Sequence, residues 1–396
     1  MSKRDENDPL YPISLCYPGM YCQRINREII QVREQMVKRN VNFNPGPAAL
    51  PLEVLKIVQG EVLDYQGSGI SIMESSHREK EFEAVNDQAI ALVHELLGLG
   101  TDYQVLFLGG GASTQFDLIP MNFIGDAQMA AYVDTGEFAS KALKECQIVA
   151  KAHVAFSSKE LKYRRVPKMS EIKYPEDVAY LHVCSNNTIE GTQFQEFPNT
   201  GKVPLVADMS SDIASRRLDF KKFSLIYAGA QKNLGVAGVT LVVIRNDFLA
   251  KAKKGLPTML SYKTFADNKS LYNTPPVFGV YIMKLVLEWL KSKGGLAGME
   301  KINMAKKDLL YSAIDAAPDF YKGPAEKDCR SMMNVTLRLP TEDLENKFIA
   351  EAKKEGFLGI KGHRSVGGIR FSIYNAVSLE DIQKIVDFMG KFRKSA

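Results

Sequence analysis

The sequence predicts an α/β fold, a larger domain with a mostly parallel sheet followed by a smaller C-terminal α+β domain. Three observations carry this. Between residues 105 and 245, short apolar runs rich in β-branched residues alternate with longer polar-apolar stretches, the alternation that builds βαβ units. Runs such as VTLVVI (239–244) are nearly continuous rather than alternating, as expected of strands covered on both faces. Beyond residue 290 the pattern becomes helices separated by isolated strands. The expected organisation is an N-terminal extension (1–40), a large domain (41–290) and a small domain (291–396).

The extension opens with a polar stretch and a Pro/Tyr/Cys segment, and REIIQVREQMVKR within it reads as an amphipathic helix carrying Ile30, Val32, Met36 and Val37. It has no apolar core of the kind a secretory signal needs, and Asp5, Glu6, Asp8, Glu28 and Glu34 do not suit an acid-poor transit peptide. From Val41 onward the expected strands are VLFL (105–108), AAYVD (130–134), YLHVCS (180–185), PLVAD (204–208), SLIYAG (224–229) and VTLVVIR (239–245). The stretch 78–98 places Phe82, Val85, Ala89, Val93 and Leu96 at three- and four-residue steps and stops at Gly98, which predicts a core-facing helix with a glycine cap. Residues 275–295 read as a long helix leading out of the large domain. Helices at 300–316, 341–355 and 378–393 and strands at 333–339 and 369–375 follow.

Composition narrows the function. The 396 residues are 45% hydrophobic and 24% charged, ordinary globular values that exclude a disordered chain. No apolar run approaches the ~20 residues of a membrane-spanning helix. Lys+Arg exceed Asp+Glu by 51 to 46, which suits anionic small molecules but is too weak for nucleic acid. The Cys residues at 16, 22, 146, 184 and 329 are odd in number and form no CxxC pair, so neither a disulfide framework nor a zinc site is expected. Reduced thiols in a cytoplasmic setting fit better.

In open α/β sheets ligands bind beyond the carboxyl ends of the strands. The segments following the expected strands are GGGASTQF (109–116), TGEF (135–138), NNTIEG (186–191), MSSDIASR after Asp208, and AQKNLG (230–235). One rim thus carries a Gly-rich turn, an aromatic, a Thr, an Asp and a Lys. Pyridoxal phosphate needs that set. A lysine amine forms a Schiff base with its aldehyde, an Asp keeps the pyridine nitrogen protonated, and a glycine turn opening a helix offers N–H groups to the phosphate. Each feature alone has a plainer reading as a tight turn, a helix cap, a solvated charge or a core aromatic. Their joint order raises the odds of a cofactor site.

The segments VNFNPGPAALP (41–51), SHREKEF (76–82), GGGASTQF (109–116), ADMSSDIASR (207–216), YAGAQKNLGVAG (227–238), YNTPP (272–276) and KGHRSVGGIRFSIYN (361–375) resemble the phosphoserine aminotransferases. These are PLP-dependent fold-type I enzymes of the class-V aminotransferase group. The resemblance spans nearly the whole chain beyond residue 40. It implies Lys232 as the Schiff-base lysine and Asp208 as partner of the pyridine nitrogen. It implies Thr188 near the cofactor's phenolic oxygen and Phe138 against the ring. Gln231 and the backbone of Ala112 and Ser113 would hold the phosphate, joined by Asn273 and Thr274 from the other subunit of a homodimer. Arg370 would bind the substrate α-carboxylate, and His77, Arg78, His363 and Arg364 its phosphate. Many members place Trp where Phe138 stands, and some carry Arg in the glycine turn.

The implied reaction is ping-pong transamination between O-phospho-L-serine and 2-oxoglutarate, giving 3-phosphooxypyruvate and L-glutamate in serine biosynthesis. Some members also take 4-phosphooxy-L-threonine. Two alternatives stay open at this point: a sister class-V alanine or serine aminotransferase using glyoxylate or pyruvate, and a non-catalytic phosphate-binding protein.

Overall fold

The computed structural model describes residues 39–396; the helix expected around Ile30–Val37 lies outside them. The main sheet has seven strands: β1 (Tyr103–Leu108), β2 (Met129–Asp134), β3 (Lys151–Ser157), β4 (Leu181–Cys184), β5 (Leu205–Asp208), β6 (Leu225–Gly229) and β7 (Thr240–Arg245). Their spatial order is β1-β7-β6-β5-β4-β2-β3. From β6 to β3 every pairing is parallel, while β7 runs antiparallel to both β6 and β1. The six expected strands of this sheet are present within a residue or two of their expected limits. The edge strand β3, which has no continuous apolar run and is only partly covered, is additional to them.

Side-chain alternation explains the nearly continuous apolar runs. Val105, Phe107, Leu181, Val183, Leu205, Ile226, Leu241 and Val243 face one core, while Leu106, Tyr132, Val206, Leu225, Tyr227, Val242 and Ile244 face another. Since successive strand residues point to opposite faces and both faces are covered, both sets must be apolar. The first face is covered by α2 (Lys80–Leu97), which contributes Phe82, Val85, Ala89 and Val93, and by α5 (Val277–Ser292), which packs against α2 and against α1 (Leu52–Glu61). α2 ends at Gly98, whose φ of 63° is the left-handed cap expected from the sequence. The second face is covered by α3 (Gly111–Phe123) and α4 (Glu137–Val149), through Phe116, Ile119, Phe123, Ala142 and Leu143.

The C-terminal part has its own apolar cluster, built from β8 (Asn334–Leu337), its antiparallel partner β9 (Ile369–Ser372), and the inner faces of α6 (Gly295–Asp315), α7 (Glu342–Lys354) and α8 (Leu379–Ser395). Thr341 and Ser378 cap α7 and α8, accepting from the N–H of Leu344 at 3.2 Å and of Asp381 at 3.0 Å. Phe43 joins this cluster, because Val41–Asn42 pairs in parallel with Phe357–Leu358. Among the described residues no helix is long and apolar enough to cross a membrane.

One buried cation fixes the turn after β9. Lys306 of α6 is fully buried, and its Nζ donates to the carbonyls of Ile373 (3.0 Å), Tyr374 (2.9 Å) and Val377 (2.9 Å). Buried carbonyls left without a donor cost about 1–3 kcal/mol each before relaxation. Lys306→Met is therefore expected to lower stability by about 3 kcal/mol, seen as a lower urea midpoint; an unchanged midpoint would contradict this role.

Candidate active site

The carboxyl ends of β4, β5 and β6 deliver the central residues. β6 ends at Gly229 and turns through Ala230–Leu234, which carries Gln231 and Lys232. The turn is closed by the Ala230 N–H donating to the Val239 carbonyl (2.9 Å) and the Leu234 N–H to the Ala230 carbonyl (3.1 Å). Lys232 Nζ donates to Thr188 Oγ1 at 2.9 Å and lies 5.4 Å from the centre of the Phe138 ring. Thr188 sits on the hairpin after β4, and Phe138 in the first turn of α4. The segment Asn44–Pro47 lies over the lysine turn. The Ala48 N–H donates to the Gln231 carbonyl at 2.9 Å, and a Cβ on Gly46, whose φ is +131°, would come within 3.3 Å of Lys232 Cγ. Only glycine holds that backbone without strain.

Asp208 ends β5 and is buried. Its Oδ1 accepts from the Ser210 N–H at 2.9 Å, and Ser210 Oγ accepts from the Gly229 N–H at 3.0 Å, which ties the ends of β5 and β6 together. Burial raises the Asp208 carboxyl above the usual carboxylate range, opposed by the nearby Lys232 charge and the Ser210 hydrogen bonds. On the same face of the sheet, Tyr227 pairs in register with Asp208 and shares a 2.9 Å hydrogen bond with His182 Nε2. His182 stacks on Tyr132 at 4.8 Å between centroids, and burial holds its imidazole down at about 3, so it is neutral.

The glycine turn after β1 opens α3. Gly110 has φ 89°, and no side chain caps the helix. The first-turn N–H groups, including those of Ala112 and Ser113, therefore point outward without intrahelical partners.

Beside this rim lies a cavity of about 500 Å³ lined by Arg370, Glu190, Lys162, Tyr163, Arg164 and Thr336, among others. Arg370 lies on β9, is buried, and has no hydrogen-bond partner for its Nε among the described residues. Burial pulls its guanidinium below the usual arginine range. Glu190 is also buried; its Oε1 accepts from the Glu137 N–H at 2.8 Å, its Oε2 has no partner, and burial pushes its carboxyl up to about 7. His363 Nδ1 lies 2.7 Å from Ser365 Oγ in the adjoining loop. Burial first, then the Arg370 charge, lowers its pKa below the ordinary histidine value.

The structure therefore brings Lys232, Thr188 and Phe138 into contact, sets Asp208 under the influence of Lys232, and puts Arg370 into a cavity whose wall includes Gly362 and Ser365, the neighbours of His363 and Arg364. Among the described residues, no hydrogen bond or ion pair joins the side chains of the other expected residues to this group. Arg78, Asn273 and Thr274 are exposed. His77 is buried with its Nε2 unpartnered. Sequence reasoning missed Gly46, Ser210, Tyr227, His182 and Glu190. Only Gly46 carried a signal, in the NPGP motif.

The family model for aminotransferase class-V matches residues 40–385. The chain belongs to the class-V aminotransferases. It is 54% identical over 91% of its length to 99% of "Phosphoserine aminotransferase" from Niallia circulans, and 54% identical over 89% of its length to 98% of the same-named protein from Herpetosiphon aurantiacus. Among solved structures, it matches phosphoserine aminotransferase from Bacillus circulans subsp. alkalophilus with a TM-score of 0.89 at 54% identity, covering 91% of this chain and 99% of that one. It matches PLP-bound phosphoserine aminotransferase from Trichomonas vaginalis with a TM-score of 0.85 at 36% identity, covering 89% and 100%.

Gly136 opens α4 against the hairpin that carries Thr188. A Cβ there would lie 2.7 Å from Asn187 Oδ1 and 2.8 Å from Glu190 Oε2. Gly136→Ala is expected to lower stability by about 1–3 kcal/mol through overpacking, measured as a drop in thermal midpoint. A midpoint equal to wild type would show that the hairpin gives way freely.

Proposed function

We propose that this aminotransferase moves an amino group between O-phospho-L-serine and 2-oxoglutarate, yielding 3-phosphooxypyruvate and L-glutamate in L-serine biosynthesis, with pyridoxal phosphate as cofactor. The observation that carries the reading is Lys232 Nζ poised between Thr188 Oγ1 and the Phe138 ring, with the buried Asp208 carboxyl close enough to feel its charge. The residues present fit the cofactor. The uncapped start of α3 offers the N–H groups of Ala112 and Ser113 to a phosphate. Gln231 and Thr188 stand next to the lysine, Phe138 offers a ring face, and Asp208 offers a buried carboxylate with which a protonated nitrogen could pair.

Pyridoxal phosphate, when bound, supplies an aldehyde that exchanges amines as imines and a ring that accepts the electron pair left on the substrate Cα. The chain's own groups do the rest. Lys232 Nζ holds the cofactor, then takes the proton from the substrate Cα and returns it. Thr188 orients Lys232 through its hydroxyl. Arg370, whose side chain lines the cavity, pairs with the substrate α-carboxylate, and His363 and Arg364 take the phosphate or the γ-carboxylate. Asn273, Thr274, His77 and Arg78 act in the neighbouring site of a homodimer. This accords with their lack of side-chain partners among the described residues and with the exposed apolar side chains Leu52, Ile57, Leu63, Met73 and Tyr272 on the same part of the chain. A cytoplasmic setting accords with the free thiols of Cys146, Cys184 and Cys329. The same phosphate site would admit 4-phosphooxy-L-threonine.

Lys232→Ala is expected to remove the yellow colour of the purified protein. Turnover should fall by at least about 10⁴-fold, since holder and base are lost together. In the wild type, borohydride reduction followed by peptide mass analysis should place the cofactor's mass on Lys232, and finding it elsewhere would refute the assignment. Arg364→Ala is expected to raise KM for phosphoserine about 10–100-fold, the worth of one charge-assisted pair, with a smaller effect on glutamate. An equal loss for both substrates would contradict a phosphate contact.

A further inference from the structure

The loop that carries His363 and Arg364 is fastened by one side chain. Residues 361–368 leave and rejoin the protein at a narrow base, where the Gly362 N–H donates to the Gly368 carbonyl and the Arg370 N–H to the Ile360 carbonyl, both at 2.8 Å. Within the loop, the Val366 and Gly367 N–H groups donate to the His363 carbonyl at 3.0 and 2.8 Å, so residues 363–367 form one tight turn. Beyond the base, Arg338 is the only residue outside the loop, among the described residues, that hydrogen-bonds to it. Its Nη1 donates to the Val366 carbonyl at 3.0 Å. The loop also lies on the arginine stem. Gly368 has a φ of +73°, and a Cβ there would come within 2.6 Å of Arg338 Cδ.

Arg338 is itself held. Its backbone exchanges two 2.9 Å hydrogen bonds with Lys322. Its Nε and Nη2 donate to Glu345 Oε1 and Oε2 at 2.6 and 3.2 Å, a bidentate pairing that fixes the plane of the guanidinium. Glu345 is buried at the start of α7, and its Oε1 also accepts from the Leu339 N–H at 3.2 Å. Every nitrogen of the fork thus has a protein acceptor. Arg338 lines the same cavity as Arg370, but Glu345 answers its charge, whereas Arg370 Nε has no partner among the described residues. The geometry suits holding a loop rather than ligating an anion.

We propose that Arg338, locked by Glu345, is a positioning residue for substrate recognition: through the Val366 carbonyl it fixes the turn that presents His363 and Arg364 to the phosphate of the substrate. This rests on the reading of His363 and Arg364 as the phosphate-binding residues. A binding group gains from being held in its bound geometry beforehand, because less freedom is lost when the ligand arrives. The Arg338 side chain is half exposed, and ion pairs of that kind add little to global stability, so the clamp acts on the loop and not on the fold.

The test is a mutant cycle in steady-state kinetics on the holoenzyme. Arg338→Ala is expected to lower kcat/KM for phosphoserine about tenfold, the worth of one charge-assisted hydrogen bond. The loss should fall on KM rather than kcat, with a smaller change for glutamate. Arg338→Lys keeps the charge without the planar fork and should stay at least about threefold below wild type. When His363→Ala and Arg364→Ala are already present, adding Arg338→Ala should cost less than about threefold, since little is left to position. A tenfold loss persisting in that background, or a wild-type value for Arg338→Lys, would show Arg338 acting on the substrate by its charge and overturn the clamp. So would an Arg338→Ala variant that handles phosphoserine like wild type while Arg364→Ala does not. If His363→Ala with Arg364→Ala leaves phosphoserine unaffected, the phosphate reading falls and the clamp falls with it.

Discussion

A lysine and a buried carboxylate set against each other at the ends of adjacent parallel strands form the constraint on which the rest of the site depends. Asp208 cannot be buried at low cost as an isolated anion. Its stabilisation comes from the Ser210 N–H and from the field of Lys232. Both are delivered by the end of the sheet rather than by mobile loops. Ser210 in turn accepts from Gly229, the last residue of β6, so the position of the lysine turn and the solvation of the carboxylate are secured by the same short chain of hydrogen bonds. On the same face, neutral His182 and Tyr227 supply dipoles without a further charge to compensate.

The lysine turn is also tied to the strand carrying Arg370. Asn233, next to Lys232, accepts from the Asn375 N–H at 3.0 Å. Asn375 in turn accepts from Asn303 of α6 at 2.9 Å and donates to the Ala214 carbonyl at 3.0 Å. One helical turn further along α6, Lys306 grips the same segment through its carbonyls. A buried hydrogen-bond network of this kind rigidifies what it connects. Here it connects the amine that would react with the substrate to the strand that would orient it, and a functional constellation needs that fixed geometry.

Much of this was legible in the sequence because the governing signals are local. Nearly continuous apolar runs mark strands covered on both faces, and β1, β2 and β4–β7 appear close to where those runs fall. The glycine turn, Asp208 and Lys232 could be placed on one rim because strand ends in such sheets share a side. What was not legible depends on long-range packing. β3 is an edge strand with a half-exposed pattern, so its sequence KAHVAFS lacks the run that marks its neighbours. The antiparallel direction of β7 is set by its route across the sheet, not by its residues. Glu190 reads as one more loop acid, and it becomes unusual only when Gly136 and Thr336, both distant in sequence, close around it. Arg78, Asn273 and Thr274 are exposed and make no side-chain hydrogen bond or ion pair among the described residues, so the packing of these residues does not reveal what they meet.

The electrostatics of the cavity follow from the cost of keeping Arg370 buried. A guanidinium with an unpartnered N–H in a dry wall is expensive, and that cost is relieved when an anion arrives to pair with it. Under the proposed reading, both amino donors bring an α-carboxylate and differ only at the far end, phosphate in one and carboxylate in the other. Arg370 then recognises what the two substrates share, and the discrimination between them falls to the half-buried His363 and the exposed Arg364 at the far end, the latter where solvent still screens charge.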